Sequence, residues 1–493
     1  MTRMWSIETC RSRQKRRFRG GRSFCPGKLN RWLLFLVLTG GLLPVLSAAP
    51  ATMRLDYFHT GNATEEIFSL DRVRIEPLPW PGNLQHQVDD TNLGKYLFEV
   101  IDRKTNRVVY SRGFASIYGE WESTEEARSI HRTFHESLRF PAPEAPVQVV
   151  LKKRDAILAF REVWSVTLDP ADPFVDRARG VSPAPLLPLE KNGDPGTKVD
   201  LLILGDGYTA AESGKFEKDA RRLVDLLFTT SPFQDRRRDF NVWGLCPPAA
   251  ESGISRPSTG VYRQSPVGAT YDAFGSERYV LTFDNRAFRQ IASFAPYEFV
   301  EILVNGRTYG GGGIFGLYAT VATDSLWAPY IFIHEFGHHF AGLADEYYTS
   351  EVAYSPAPRR LEPWEPNVTS MPDPGNFKWK ELVSAQIPLP TPWGKEAFES
   401  YSREIQKKRK EIRTQRRPEE EMDALFRQEQ EHETRMLGQE KFAQKIGAFE
   451  GAMYESKGYF RSQTDCIMFT RNPVPFCTVC QRAIDRVIDF YVK

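Results

Sequence analysis

Three of the chain's eight histidines lie within FIHEFGHHFAGLADEYY, residues 332–348. On an α-helix, His334 and His338 project from the same face one turn apart and can both reach one ion. Glu335 lies beside them. In this H-E-x-x-H arrangement neutral imidazoles bind zinc, and the glutamate takes a proton from the zinc-bound water that attacks a polarised carbonyl. The spacing predicts one catalytic zinc ion, with Glu335 as general base.

A catalytic zinc site has three protein ligands and keeps one position for water. The chain offers two carboxylates directly after the turn at Gly342, namely Asp345 and Glu346. We predict Asp345 as the third ligand and keep Glu346 as the alternative. His339 lies about 140° around the helix from His334, so we expect it to pack in the core or to hydrogen-bond there rather than bind the metal.

The segment around the histidines has the signals of a short buried helix. Pro329 occupies a position that the first helical turn tolerates, and Gly342 can end the helix. Between them, apolar side chains would seat the helix in a core: Ile331, Phe332, Ile333, Phe336 and Phe340.

Length and composition limit the number of domains and the class of partner. The chain has 493 residues, 41% of them hydrophobic, which is enough for two or three domains with cores of their own. Its 65 basic and 63 acidic residues leave a formal charge of +2, so nothing indicates a nucleic-acid partner.

The N-terminal stretch is typical of a secretory signal peptide, with basic residues 3–31 followed by an apolar run over 32–51 that ends in small residues. We therefore predict a signal peptide at 1–51 and a secreted or periplasmic protein. A retained membrane anchor is the alternative. An oxidising compartment permits one or two disulfides among the remaining cysteines, Cys246, Cys466, Cys477 and Cys480. No second C-x-x-C exists to complete a zinc knuckle with Cys477 and Cys480, so we expect a structural disulfide between this pair and Cys466 or Cys246.

The rest of the chain divides by its patterns. Residues 52–185 alternate in short runs, which predicts an antiparallel β-sandwich without chemistry of its own. Residues 196–493 open with a buried strand and an amphipathic helix, which predicts an α+β catalytic domain. Four consecutive glycines at 310–313 would let another backbone approach closely. The charged stretch at about 395–444 is expected to be an inserted pair of exposed helices.

The histidine segment resembles the metzincin metallopeptidases, whose pattern H-E-x-x-H-x-x-G-x-x-[HD] ends in a ligand that follows a glycine turn. Here G-L-A-D keeps the spacing from glycine to ligand, although both arrive one residue later than in that pattern. The resemblance implies a metzincin-like fold, a mixed sheet with an active-site helix, and a methionine turn beneath the metal. Met468 is the candidate methionine.

The chain is also similar to the IgA peptidase family of secreted zinc metalloendopeptidases. The resemblance covers residues 200–490 and rests on six segments in chain order: LILGDGYT, AESGISRP, YGGGGIF, HEFGHHFAGLADEY, GAFEGAMYESKGYFR and DCIM. It implies hydrolysis of peptide bonds in a protein or peptide substrate, and it does not imply that immunoglobulin is the substrate. Three side chains that precede the methionine turn are candidate transition-state stabilisers: Tyr454, Tyr459 and Arg461.

Two other functions stay open at this point. One is an exported, non-catalytic binding protein on a metallopeptidase fold, although the intact Glu335 speaks against it. The other is a zinc enzyme that hydrolyses a different amide or an ester.

Overall fold

A computed structural model describes residues 49–350, 352–354 and 361–493 of the chain. The predicted signal peptide therefore lies outside the described residues except for its last three positions. None of the helices in this described part has the length and apolar character that crossing a membrane requires.

The N-terminal part is a β domain made of two antiparallel sheets. Its elements are β1 (Ala51–Gly61), β2 (Glu66–Pro79), β3 (Tyr96–Asp102), β4 (Val108–Phe114), helix α1 (Ile117–Trp121), β5 (Arg132–Pro141), β6 (Val147–Arg154) and β7 (Phe160–Leu168). One sheet has the order β2-β1-β5 and the other β4-β3-β6-β7. Apolar side chains of both sheets, such as Leu55, Phe98 and Val149, share one core. Alternating inward residues explain this packing.

Eleven strands follow in the rest of the described chain. They are β8 (Leu187–Glu190), β9 (Val199–Asp206), β10 (Phe240–Leu245), β11 (Ala269–Thr270), β12 (Leu281–Thr282), β13 (Phe299–Val304), β14 (Gly311–Ile314), β15 (Tyr318–Ala322), β16 (Val368–Thr369), β17 (Phe449–Ala452) and β18 (Glu455–Arg461).

Six of these strands form the central sheet, in the order β14-β15-β13-β9-β10-β8. The four inner strands run parallel, and the edge strands β14 and β8 run antiparallel to their neighbours. β9 is buried along its whole length. Its alternate residues serve two different cores: Leu201 and Ile203 belong to one, Leu202 and Leu204 to the other. Such a doubly covered sheet explains the continuous apolar run in the sequence.

Six further helices complete the described chain: α2 (Ser213–Leu227), α3 (Asn285–Ala292), α4 (Ala328–Ala341), α5 (Lys395–Thr414), α6 (Glu419–Gly438) and α7 (Thr478–Val492). α2, α4 and α7 contribute to the first core, and α3 packs on the opposite face with α1 of the β domain. The predicted α+β class is therefore observed, with an N-terminal β domain and several antiparallel sheets.

The charged stretch folds as the hairpin α5–α6. Both helices were expected to be exposed, but one face of the hairpin is buried. Phe398, Ile405 and Phe426 belong to the main core, and the carboxylates of Glu429 and Glu433 are buried as well. The apolar residues are spaced at helical intervals among the charges, so each helix buries one face while the charged majority stays outside.

Candidate active site

Helix α4 carries the histidines and begins and ends at the residues that the sequence indicates. Pro329 stands in its first turn, and Gly342 follows its last residue with φ 60°. This left-handed conformation suits glycine. The Gly342 N–H donates to the His338 carbonyl at 3.0 Å, which closes the helix. The chain then turns back, and Asp345 comes alongside the histidines.

Three donor atoms converge on one point. His334 Nε2 lies 3.1 Å from His338 Nε2, and Asp345 Oδ1 lies 3.0 Å from the first and 3.2 Å from the second. Ligands about 2.0–2.1 Å from a tetrahedral zinc ion would be about 3.3 Å apart. The donor set, two imidazoles and one carboxylate, therefore fits a divalent metal ion in both chemistry and spacing.

Each imidazole is oriented by a backbone carbonyl on its far side. Nδ1–H of His334 donates to the Ile467 carbonyl at 2.9 Å, and Nδ1–H of His338 donates to the Leu343 carbonyl at 2.5 Å. Because a carbonyl only accepts, both Nδ1 atoms carry the proton. In the neutral rings that bind a metal, both Nε2 lone pairs would then face the same point, as metal-binding histidines require.

The two carboxylates that follow the glycine turn point in different directions. Asp345 contacts both histidines, whereas Glu346 accepts a hydrogen bond from Asn367 at 3.0 Å and faces Cys477 and Cys480. Burial alone would raise the pKa of Asp345, but the two imidazoles outweigh it and hold that pKa well below its ordinary value. Asp345 is thus an ionised carboxylate beside the histidines.

Glu335 lines the cleft in front of the histidines, a cavity of about 510 Å³. Burial raises the pKa of its carboxyl above the usual value, while the charges of His334 and His338 oppose that rise. A carboxylate with a raised pKa is a better proton acceptor at neutral pH.

His339 has a structural place, as the sequence indicates. Its Nδ1–H donates to the Ile314 carbonyl at 3.0 Å, and Nε2 accepts from the Val300 N–H at 3.0 Å. Burial lowers its pKa to about 3, so the ring is neutral. It ties α4 to β13 and β14.

The three candidate stabilisers occupy different surroundings. Tyr454 donates its hydroxyl proton to Asp345 Oδ2 at 2.5 Å. Tyr459 also lines the cleft, but its hydroxyl donates to the Leu361 carbonyl. Arg461 is fully buried, with its guanidinium stacked on Trp393 and Phe469 and donating to backbone carbonyls. Arg461 does not line the cleft, so its position does not suit a stabiliser of the reaction.

Met468 forms the floor beneath α4. Its sulfur lies 3.0 Å from where a Cβ on Gly337 would stand, so a larger residue at 337 would clash with it. The Met468 carbonyl accepts the Glu346 N–H at 2.9 Å, next to the Ile467 carbonyl that orients His334. One short turn thus braces both the helix and the carboxylate pair.

The expected disulfide does not form among the four described cysteines, all of which are free. The Cys477 and Cys480 sulfurs are 3.3 Å apart, and those of Cys466 and Cys480 are 3.9 Å apart. A disulfide requires about 2.0 Å.

The glycine run lets the backbone of α4 approach closely. A Cβ on Gly313 would lie 2.3 Å from the Glu335 carbonyl oxygen, so the glycines of β14 let α4 pack directly on the strand. On its outer side, Gly311 exchanges backbone hydrogen bonds with Arg278 and Val280. At Gly311, therefore, the strand edge is already paired within the chain.

Sequence reasoning missed three cleft residues. Arg278 donates to the Tyr347 hydroxyl at 3.2 Å, and both residues line the cleft close to Asp345. Glu120 reaches the cleft from α1 of the N-terminal domain, which had been expected to carry no chemistry. Tyr347 could have been found from its place directly after Asp345 and Glu346. No sequence pattern indicates Arg278 or Glu120, because both lie far in the chain from the histidine segment.

Two models of known protein families match the chain. A family model described as IgA Peptidase M64 matches residues 187–488, and one described as Peptidase M64 N-terminus matches residues 47–165. The first match alone covers more than half of the chain, which therefore belongs to the IgA peptidase M64 family. Membership implies a metallopeptidase with protein or peptide substrates. Comparison with curated proteins gives no match.

Proposed function

We propose that the chain is an exported zinc-dependent endopeptidase with a metzincin-like catalytic domain. The observation that carries this proposal is the convergence of His334 Nε2, His338 Nε2 and Asp345 Oδ1 within 3.2 Å, beside a cleft that Glu335 lines. Two imidazoles, a carboxylate and an adjacent glutamate are the set that metal-assisted hydrolysis requires.

His334, His338 and Asp345 would hold the zinc ion. When bound there, zinc would polarise the scissile carbonyl and make a water molecule more acidic. Glu346 is not part of this proposal, because it faces the cysteines instead.

Glu335 would take the proton of the attacking water and pass it to the leaving amine. Its raised pKa suits this exchange, since the carboxylate must both accept and release a proton. Tyr347 and Arg278 line the cleft with a phenol and a guanidinium that can donate to the developing negative charge on the carbonyl oxygen. Tyr454 would act through Asp345, which it holds by a hydrogen bond.

The metzincin-like assignment is supported by local geometry. Gly342 makes a left-handed turn before Asp345, and Met468 lies beneath the histidine helix. The glycine and the ligand both arrive one residue later than in the metzincin pattern, so the extra residue lies in the last turn of α4, between His338 and Gly342.

A peptide chain is the substrate that suits the cleft. Its lining combines apolar side chains such as Phe315 and Tyr309 with charged ones such as Arg278 and Glu120. No feature of this lining indicates an antibody hinge. Export remains a proposal that rests on the basic and apolar segments within residues 1–51, and membrane attachment would follow only if that apolar segment were retained.

The test compares cleavage of unfolded casein by the mature chain, by Glu335→Gln and by Asp155→Asn. Asp155 is a carboxylate of the cleft lining that bonds to its own turn and to Arg161. We expect all three proteins to bind equal amounts of zinc. kcat/KM should fall by about 10²–10⁴-fold in Glu335→Gln and stay at the wild-type value in Asp155→Asn.

Equal activity of wild type and Glu335→Gln would remove Glu335 as the base. Zinc binding without cleavage by any of the three proteins would favour the exported binding protein instead.

A further inference from the structure

A second group of ligand-type side chains lies below the histidines, and the proposed catalysis uses none of them. Its members are Glu346, Cys466, Cys477 and Cys480. All four are buried, and one ligand atom from each lies within 4.8 Å of the others.

The distances inside this group fit one tetrahedral ion. With Zn–S about 2.3 Å and Zn–O about 2.0 Å, two sulfurs would be about 3.8 Å apart and a sulfur and an oxygen about 3.5 Å apart. Cys480 Sγ lies 3.9 Å from Cys466 Sγ, 3.3 Å from Cys477 Sγ and 3.5 Å from Glu346 Oε1. The Cys477 sulfur lies 3.9 Å from the same oxygen.

The carboxylate of Glu346 is oriented but incompletely satisfied. Asn367 donates to Oε1 at 3.0 Å, while Oε2 is buried without a hydrogen-bond partner. Buried polar atoms are rarely left in this state. A cation held by Oε1 among the thiols would compensate the charge of the whole carboxylate. The hydrogen bond from Asn367 is the kind of contact that fixes a metal-binding carboxylate.

The sulfurs lie where thiolates are stabilised. Cys466 Sγ accepts the backbone N–H of Cys477 at 3.2 Å and that of Met468 at 3.5 Å. Cys477 is the N-cap of α7, and Cys480 lies in the first turn of that helix. The positive end of the helix dipole favours negative sulfur there.

We propose that Glu346, Cys466, Cys477 and Cys480 bind a second, structural zinc ion. Four protein ligands close the coordination shell and leave no position for a substrate, which is the arrangement of structural zinc. The ion would fix the turn that holds Asp345 and Met468, because each is within two residues of one of its ligands. None of its four ligands takes part in the proposed catalysis.

The first test uses His334→Ala/His338→Ala in the full mature chain, which disables the upper site and leaves all four lower ligands. Metal analysis should find about two zinc ions in wild type and about one in the double variant. After replacement of zinc by cobalt, the double variant should show the near-ultraviolet charge-transfer absorption of cobalt bound to thiolate. A double variant that binds no metal, or cobalt without that band, would overturn the proposal.

The second test compares Cys480→Ser with Cys246→Ser, a cysteine outside the group. Cys480→Ser should lose about one zinc ion and the cobalt–thiolate band, and Cys246→Ser should keep both. If Cys480→Ser fails to fold, the double histidine variant still decides. A Cys477–Cys480 disulfide found by mass spectrometry of the unreduced wild type would refute the site. Loss of the lower ion with casein cleavage still dependent on Glu335 would leave the proposed function standing.

Discussion

At the scale of single residues, every donor atom of the histidine group is fixed by a contact on its far side. Carbonyls of Ile467 and Leu343 hold the two imidazoles, and the Tyr454 hydroxyl holds Asp345. Such contacts orient ligands and tune their basicity. Part of the metal affinity therefore belongs to residues that never touch the ion.

Tyr454→Phe should weaken zinc binding by about 10–100-fold, because Asp345 loses the hydroxyl that orients Oδ2. Competition with a chromophoric chelator measures the affinity. Tyr459→Phe is the matched control, since its hydroxyl donates to Leu361 rather than to a ligand, and should leave the affinity unchanged. Equal affinities in the two variants would contradict the role of Tyr454.

Residues with nearby partners could be predicted from the sequence, and residues with remote partners could not. His334, His338 and the turn at Gly342 follow from helical spacing alone. The contacts of Arg461 with Trp393 and Phe469 could not be predicted, because they depend on tertiary packing. The sequence could not show which of Asp345 and Glu346 contacts the histidines, since adjacent residues in a turn can point either way.

At the scale of elements, the position of α4 depends on the absence of side chains on β14. Gly311 and Gly313 bring the strand backbone against the helix, and a Cβ at either position would meet atoms of α4. The two glycines therefore set how far the histidine helix α4 lies from the sheet. Packing on α4 thus accounts for Gly311 and Gly313 without a substrate.

Gly313→Ala should displace α4, because the new Cβ would lie 2.3 Å from the Glu335 carbonyl oxygen and 2.9 Å from His338 Cβ. We expect a loss of about 1–3 kcal/mol in unfolding free energy, together with reduced casein cleavage. Gly214→Ala in α2 is the control, since a Cβ there meets nothing within 4 Å. It should be neutral or stabilise by about 0.5–1 kcal/mol. Urea unfolding compares the two, and equal stability would refute the packing role.

The hairpin α5–α6 is part of the core, so its apolar face should matter to stability. Phe426 is fully buried against Tyr309 and Trp327. Phe426→Ala should lower the unfolding free energy by about 3–5 kcal/mol. Its exposed neighbour Gln428 should tolerate Ala within about 0.5 kcal/mol. A hairpin that is only an external insertion would give no difference between the variants in urea unfolding.

At the scale of the whole molecule, the N-terminal β domain and the catalytic-domain residues around the central sheet line one cleft. Ile117, Tyr118 and Trp121 of α1 share a core with β9 and β13 of the sheet. Glu120 and Lys95 consequently line the cleft that contains Glu335. The β domain is thus a wall of the site and not a separate appendage.

Stability of the whole molecule should depend on pH through His59 of the β domain. His59 is buried between Glu136 and Glu66, 3.1 Å from each. Burial alone would lower its pKa, but the two carboxylates outweigh it and raise that pKa above the ordinary value. A raised pKa means that the folded state holds the proton more tightly. This contribution is complete below about pH 6.5 and is lost as pH rises through the folded pKa.

We therefore expect the melting temperature of wild type to fall more than that of His59→Gln between about pH 6 and about pH 9. The comparison with the variant cancels the other groups that titrate in this range. Parallel curves for the two proteins would show that His59 does not contribute.

The α+β class and the β domain could be read from the sequence, because strand alternation and helical spacing are local patterns. The docking of α1 on the central sheet could not, since it depends on apolar residues that look like ordinary core. The buried face of the charged hairpin could not be predicted either, because its few apolar residues are spread among many charged ones.

The bond between His334 and the Ile467 carbonyl spans 133 positions of the chain. A molecule still being synthesised holds the first partner long before the second exists. During that interval the imidazole lacks its contact with the Ile467 carbonyl. A site that needs this carbonyl can therefore form only after Ile467 has been added to the chain.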